Sequence, residues 1–212
     1  LRYKQTALGA AWAIIQPLFA MVIFTVIFGG LAKIPSDGVP YPLFSLAALI
    51  PWTLFAEGLT RSTLSMVQNQ NILTKVYFPR LIMPLSGILS PLVDFCVSSL
   101  ILALMILYFG FTLTINIIFL PIFIIFALIT SLSVGIWLSA LNVMYRDFQY
   151  TVPFLIQVWL YASPVVYPSS LFPEKWQILY GLNPMAGVIE GFRWSLLGTT
   201  PPSAMIWLSF GV

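Results

Sequence analysis

INIIFLPIFIIFALITSLSVGIWLSAL, residues 115–141, contains no charged side chain. A helix needs about 20 predominantly apolar residues to cross the hydrocarbon core of a bilayer, and this stretch is longer than that. The whole chain is 60% hydrophobic and 7% charged, whereas ordinary soluble domains are about 25% charged. Nine basic and six acidic side chains cannot cover the surface of a soluble protein of 212 residues. The sequence therefore predicts an all-α integral membrane protein.

Apolar runs recur along the chain and predict six transmembrane helices in a single domain. The predicted spans lie near residues 10–31, 43–64, 81–109, 115–141, 151–167 and from 203 to the end. The sixth run reaches only about half of the required length before Val212, so we expect it to be truncated. The sequence shows no second domain, internal repeat or low-complexity linker.

Basic residues are distributed unevenly between the two sets of loops, and short cytoplasmic loops are the ones that collect Lys and Arg. One set holds six of the nine: Arg2, Lys4, Arg61, Lys75, Arg80 and Arg146. The other set holds Lys33, Lys175 and Arg193. This bias places the start of the chain and the 61–80 and 142–150 loops in the cytoplasm. It places residues 32–42, 110–114 and 168–202 on the outer side.

The sequence lacks the residues that metal binding, catalysis and ATP hydrolysis require. The sequence contains no His, a single Cys and no Gly-rich phosphate loop ending in Gly-Lys-Ser or Gly-Lys-Thr, so neither a metal site nor a catalytic centre is predicted. A net charge of +3 does not indicate nucleic-acid binding. Uphill transport would need a partner ATPase or an ion gradient, and the scarcity of ionisable residues in the spans favours the ATPase.

A few reactive or ionisable residues fall within the predicted spans. Asp94 lies well inside the third span, where a carboxylate is costly and often functional. Two roles remain open for it, a proton relay and a structural carboxylate; the second is favoured because no His and no second carboxylate is expected nearby. Glu57 and Arg61 are four residues apart, which predicts a structural ion pair on one helical face. Cys96 is expected to be a small core residue.

The polar segment 61–80 separates the second and third spans. Because apolar sequence surrounds it, it is one of the few places where a water-soluble partner can bind. We predict a docking surface formed by Lys75, Val76, Tyr77, Phe78 and Arg80. The apolar side chains would fill a groove on the partner while the charges set the orientation.

A second break in hydrophobicity runs from residue 168 to residue 197. Asn183 followed by Pro184 is typical of an N-cap and a first helical residue, and predicts a helix to Leu197. This helix is too short to cross a bilayer, so we expect a re-entrant or interfacial element on the outer side, covered by protein or a water-filled cavity. Two interpretations stay open: the mouth of a pore, and a lid with no role in transport.

Short motifs in a fixed order carry a family resemblance. They are Arg2 to Gly9, Pro40-Tyr41-Pro42, the Lys75 to Arg80 string, Leu92-Val93-Asp94-Phe95, Tyr145-Arg146-Asp147, and Asn183-Pro184 with Glu190-Gly191-Phe192-Arg193. Each motif is weak alone, but together they extend over nearly the whole chain. The chain resembles the membrane subunits of bacterial ABC exporters of polysaccharides, most of all the O-antigen type, with the capsule and teichoic-acid permeases as relatives.

The resemblance implies a function. Such a subunit forms a pore as a homodimer in the bacterial inner membrane and exports an undecaprenyl-type lipid-linked glycan. Two copies of a cytoplasmic P-loop ATPase bind ATP and Mg²⁺ for it, so the chain itself is not an enzyme. Residues 61–80 would carry a coupling helix, and residues 168–197 would carry short outer helices at the pore exit.

A different class of protein remains as the alternative. A membrane-embedded glycosyl- or acyltransferase should group acidic or His residues in a loop at the membrane face, and the sequence shows no such group.

A sugar chain that leaves a pore needs aromatic faces for stacking and polar groups for its hydroxyls. The glycan contacts expected at the exit gate are Tyr161, Tyr167, Trp176, Tyr180, Asn183, Glu190, Arg193 and Trp194. The same aromatic side chains are also suited to anchoring the protein at the membrane interface.

Overall fold

The computed structural model of the protein describes residues 11–75, 77, 79–171, 180–199 and 201. Within this part of the chain the regular structure is helical and contains no strand. The helices are α1 (Trp12–Phe24, continued by a π-helix, Thr25–Leu31), α2 (Tyr41–Gln68), α3 (Gln70–Leu73), α4 (Ile82–Leu89), α5 (Leu92–Tyr108), α6 (Leu120–Met144), α7 (Phe148–Tyr161) and α8 (Pro184–Leu197). Two 3₁₀ turns lie before α6 and α8, at Ile115–Phe119 and Ser169–Leu171.

Among the described residues, four helical runs are long and apolar enough to cross a membrane. They are Trp12–Leu31, Tyr41–Gln68, Ile82–Tyr108 and Ile115–Met144, at the positions of the first four predicted spans. The predicted fifth span, 151–167, overlaps α7, which has 14 residues and gives way to turns after Tyr161. The predicted sixth span lies outside the described residues. A count of six spans therefore stays a prediction.

Helix α2 is the axis of the bundle. It packs against α1, α4, α5, α6, α7 and α8, and most of its side chains are buried. Small residues make this possible, because without large side chains helix backbones can approach closely within a membrane. The small residues of α2 that are buried include Ser45, Ala47, Ala48, Gly58, Ser62 and Ser65.

A close approach lies around Ser62, where three helices meet. A Cβ added at Gly87 of α4 would lie 2.8 Å from the backbone nitrogen of Ser62 and 2.9 Å from the carbonyl carbon of Arg61. A Cβ at Gly135 of α6 would lie 2.7 Å from Ser62 Oγ. Both glycines are thus required by contact between neighbouring helices rather than by backbone angles.

The third predicted span, 81–109, is interrupted between α4 and α5. Helix α4 ends at Leu89 and α5 begins at Leu92. Pro91 lies in the break, and because proline has no N–H it cannot continue the hydrogen-bond ladder from α4. The interruption leaves Ser90 at the side of α2, where its hydroxyl accepts a hydrogen bond from Arg61 Nη1 at 2.8 Å.

Large apolar side chains cover the outer faces of the spans. Phe19, Leu31, Leu107 and Ile118 are among those exposed, as expected for surfaces that contact lipid or another membrane subunit. Cys96 also lies on an exposed face of α5, so the expectation of a core cysteine is wrong. Because both lipid and protein core are apolar, an apolar neighbourhood in the sequence does not distinguish the two environments.

We expect Gly87→Ala to destabilise the protein by about 1–3 kcal/mol, because the added methyl group overlaps the α2 backbone and not a movable side chain. The measurement is the temperature at which purified protein in detergent loses its monodisperse elution peak. Gly30→Ala is the matched control, since its Cβ would meet only the Thr25 carbonyl oxygen, at 3.8 Å. Equal melting temperatures for the two variants would contradict this packing.

Candidate functional site

The prediction for Asn183 is confirmed: it is the N-cap of α8. Its Oδ1 accepts from the backbone N–H of Met185 at 3.1 Å and from Trp159 Nε1 at 2.9 Å. Its Nδ2 donates to the Ala162 carbonyl and to Ser163 Oγ. Helix α8 begins at Pro184 and ends at Leu197, as predicted. Asn183 therefore starts α8 and also holds it against α7 and the turn that follows α7.

Arg193 lies in the interior, with 3% of its surface exposed. Its Nε donates to the Phe44 carbonyl at 3.1 Å, Nη1 to the Pro164 carbonyl at 2.6 Å and Nη2 to the Val165 carbonyl at 2.7 Å. The guanidinium also lies 3.5 Å from the centroid of the Phe44 ring, a cation–π geometry. One side chain thus joins α8 to α2 and to the 164–165 turn.

Acidic side chains surround this cation. Glu190 Oε1 accepts from the backbone N–H of Ser169 at 3.1 Å, and Asp37 accepts from the Ser170 hydroxyl at 3.2 Å. Both acids line, with Arg193, a cavity of about 20 Å³. Burial raises the pKa of Glu190, and the Ser169 hydrogen bond and the Arg193 charge oppose that shift. Burial lowers the pKa of Arg193, and the negative charge of Glu190 opposes that shift.

We call this region the α8 cap: α8, the 162–171 connection and the first turn of α2. Its polar side chains bond mainly to other parts of the protein. Glycan contact by Arg193 would require the guanidinium to leave three carbonyl groups. The sequence could not indicate these hydrogen bonds, because all three carbonyls belong to residues distant in sequence. Glycan contact in this region therefore stays a prediction.

The aromatic side chains of the predicted gate differ in exposure. Tyr161 is 60% exposed, and its carbonyl accepts a hydrogen bond from Tyr167 Oη at 2.6 Å. The rings of Tyr167 and Tyr180 lie 6.4 Å apart. Trp194 is half-buried and packs against Phe119 of the 3₁₀ turn before α6. Trp176 lies outside the described residues.

Phe123 explains a second feature of α8. Its ring occupies the space that a side chain on Gly191 would fill, and both residues are buried. Glycine at position 191 lets α8 lie directly on α6. Gly191 belongs to the Glu190–Arg193 motif, but the sequence indicates no role for it, since only the neighbouring helix shows why a side chain is excluded.

The predicted docking segment 61–80 combines two kinds of structure. Residues 61–68 are the last two turns of α2, and the segment continues through the single turn of α3. Lys75, Tyr77 and Arg80 are exposed, and Tyr77 is exposed over its whole surface. Val76 and Phe78 lie outside the described residues. Between α2 and α4, the described residues form no separate helix longer than the four residues of α3. The coupling helix therefore stays a prediction.

The ion pair predicted for the second span is present. Arg61 Nη2 donates to Glu57 Oε2 at 2.8 Å and Arg61 Nε donates to the same oxygen at 3.1 Å. Because Nη1 also donates to Ser90, the pair is tied to the break between α4 and α5. A charged pair within a span, partly exposed on both side chains, thus has a further hydrogen bond to Ser90.

Asp94 and Glu57 line the same cavity of about 300 Å³ between α1, α2 and α5. The expectation that no second carboxylate lies near Asp94 is therefore wrong. The two residues are on different helices, so their separation in sequence carried no information about their proximity. Asp94 also lies in the first turn of α5, where the helix dipole favours negative charge. Its structural role stays a prediction.

We expect Arg193→Lys to lower stability by about 3 kcal/mol or more, because a single ammonium cannot reach three carbonyls that the guanidinium fork satisfies together. Thermal inactivation of the purified protein, followed by size-exclusion chromatography, measures this loss. Lys33→Arg at an exposed position is the control. An Arg193→Lys protein as heat-resistant as that control would disprove the joining role.

Comparison with known proteins assigns the chain to a family. The model of the membrane component of ABC-2 type transporters matches residues 1–197. The match includes every helix from α1 to α8, and thus the α8 cap, the Glu57–Arg61 pair and the docking segment.

Named relatives show the same affiliation. The chain is 31% identical over 195 residues to an O-antigen export system permease protein RfbA of Klebsiella pneumoniae, with 91% of this chain and 74% of the relative covered. It is 26% identical over 195 residues to the protein of that name in Myxococcus xanthus, at the same coverage. It is 26% identical over 199 residues to the polysialic acid transport protein KpsM of Escherichia coli, covering 89% and 74%. Composition, apolar helices and family match agree: the chain is a multi-pass membrane protein of the ABC-2 type transporter family.

Proposed function

We propose that this protein is the membrane subunit of an ATP-driven exporter that moves a lipid-linked polysaccharide, of the O-antigen type, across the bacterial inner membrane. Relatives named for O-antigen export and for polysialic acid transport support the substrate class. These relatives are permeases, which are transport subunits and not enzymes, and this favours transport over the glycosyl- or acyltransferase alternative.

The proposed assembly contains two copies of this chain and two copies of an ATPase subunit, which binds ATP and Mg²⁺. The sequence has no P-loop of its own, so an ATP-driven mechanism requires that partner. Exposed apolar side chains on α1, α5 and α6 offer membrane-embedded surfaces for a second copy. A pore between two copies would let a hydrophilic polymer pass without contact with lipid.

The continuity of α2 is the observation that carries the mechanism. At one end, the Phe44 carbonyl of α2 binds Arg193 of the α8 cap. At the other end, α2 stops at Gln68, directly before α3 and the exposed Lys75, Tyr77 and Arg80. A helix of 28 residues is about 42 Å long. Movement of the docking segment on ATP binding would therefore be transmitted along α2 to the α8 cap.

In this mechanism the α8 cap is the gate at the predicted outer side. Helix α8 is held by Arg193 and Asn183 to α2, α7 and the 162–165 turn. Packed elements of this kind move between discrete arrangements and do not deform continuously. We propose that a shift of α2 displaces α8 and exposes the partly buried Tyr167, Tyr180 and Trp194, beside the already exposed Tyr161, to the emerging glycan.

We expect Tyr77→Ala to weaken ATPase binding by about 30-fold or more, because an exposed aromatic side chain is the strongest described anchor of the docking segment. Copurification with the ATPase and ATP turnover measure the effect. Tyr108→Ala is the matched control, since Tyr108 is a highly exposed tyrosine at the opposite end of the bundle. Normal binding and coupled turnover in Tyr77→Ala would refute docking through this segment.

Movement of α8 has its own test. In a Cys96→Ala background, Ser195→Cys places a thiol at a fully buried position of α8, and Leu182→Cys places one at an exposed position just before it. An impermeant thiol reagent should label position 195 faster during ATP turnover and export, while labelling at position 182 stays constant. If position 195 reacts equally with and without export, α8 does not act as a gate.

A further inference from the structure

A cavity of about 280 Å³ lies where α2, α3 and α6 end on the predicted cytoplasmic side. We call it the Arg80–Arg146 pocket. Its polar lining is Gln70, Thr74, Arg80, Asn142 and Arg146. The volume is at the small end of the range of about 300–1,000 Å³ that ligand pockets occupy, so it suits a head group and excludes a polymer.

Two cations face this cavity from different loops. Arg80 lies between α3 and α4, and Arg146 lies between α6 and α7. No described residue forms a hydrogen bond or ion pair with either guanidinium, and no acidic side chain lines the pocket. Guanidinium groups match phosphate oxygens in a bidentate geometry. The pocket is therefore suited to a phosphate group.

Asn142 indicates a second property of the ligand, a hydrogen-bond donor. It is 1% exposed, and its Nδ2 donates to the Thr63 carbonyl of α2 at 3.1 Å, which fixes the orientation of the amide. Its Oδ1 is buried and has no hydrogen-bond partner among the described residues. A buried acceptor without a donor is unfavourable. Less than 1 Å² of Oδ1 is accessible, so a hydroxyl group beside the phosphate would supply that donor once the amide turns toward the cavity.

The other described lining residues are apolar. They are Met66, Val67, Leu73 and Val143. Met66 and Val67 belong to the last turn of α2, at the end of a span on the predicted cytoplasmic side. A ligand with both a charged head and an apolar tail would contact both parts of the wall.

We propose that the Arg80–Arg146 pocket binds the head group of a lipid that carries a phosphate next to a hydroxyl-bearing group. Arg80 and Arg146 hold the phosphate oxygens, and Asn142 Oδ1 accepts from the hydroxyl. Two lipids have this chemistry: a polyprenyl diphosphate that carries a sugar, and the phosphatidylglycerol of the bilayer. Assignment to the first rests on the proposed function, because that lipid would be the exported substrate.

The test measures lipid binding to the purified protein in phosphatidylcholine nanodiscs by native mass spectrometry. A polyprenyl diphosphate that carries a single sugar and phosphatidylglycerol are titrated separately, and inorganic pyrophosphate is added as a competitor. Arg80→Gln and Arg146→Gln should each weaken binding about 10-fold or more, because each removes a charge-assisted contact. Lys33→Gln removes an exposed charge at the other end of the bundle and should leave binding unchanged.

Asn142→Ala tests the hydroxyl contact with an internal control. Phosphatidic acid lacks the head-group hydroxyls of phosphatidylglycerol, so the variant should lose the preference for phosphatidylglycerol over phosphatidic acid. A ratio of affinities within one variant does not depend on how much protein has folded. An unchanged ratio would show that Asn142 Oδ1 does not bind the ligand.

The outcomes separate the possible ligands. Tighter binding of polyprenyl diphosphate assigns the pocket to the substrate, and tighter binding of phosphatidylglycerol assigns it to bulk lipid; both support the site. If the Arg variants bind both lipids normally, the lipid site is overturned. If the same variants bind lipid normally but no longer copurify with the ATPase, the pocket belongs to the docking surface. Because lipid binding is measured without ATP or export, normal lipid binding by a wild-type protein that does not export glycan with its ATPase would contradict the proposed function alone.

Discussion

Close contact of α4 and α6 with α2 around Ser62 is the constraint on which the rest of the structure depends. Helices in a bilayer gain little from burying apolar side chains, because lipid is equally apolar, so close packing has to hold them together. Gly87 and Gly135 bring α4 and α6 against α2 at this point. Six helices pack around α2, which fixes both of its ends relative to the bundle.

Polar groups strengthen this arrangement at selected places. Arg61 joins α2 to the break before α5 through Glu57 and Ser90, and Asn142 joins α6 to α2 at the Thr63 carbonyl. Arg193 does the same for α8, with every one of its three bonds directed to backbone carbonyls. A charged side chain in apolar surroundings is stable only when it is bonded in this way. These contacts tie α2 to its neighbours near Phe44, at Arg61 and at Thr63, between the α8 cap and the predicted docking segment.

Two groups of ionisable residues occur at opposite ends of the same helix and have different surroundings. Arg193, Glu190 and Asp37 enclose a cavity of about 20 Å³, too small for more than a water molecule. Arg80 and Arg146 border a cavity of about 280 Å³ with room for a head group. The first group bonds to other parts of the protein, and the two cations of the second have no hydrogen-bond or ion-pair partner among the described residues.

Sequence alone determined the membrane class, the positions of four long apolar helices and the start of α8 at Asn183-Pro184, because these depend on composition and on local backbone chemistry. The Glu57–Arg61 pair could also be predicted from the sequence, since helical spacing places residues four apart on one face. Tertiary structure alone decided that Arg193 is interior, that Asp94 shares a cavity with Glu57, and that Cys96 is exposed. Hydropathy could not show this, because apolar residues face lipid and protein alike and periodicity therefore does not mark the buried face of a helix.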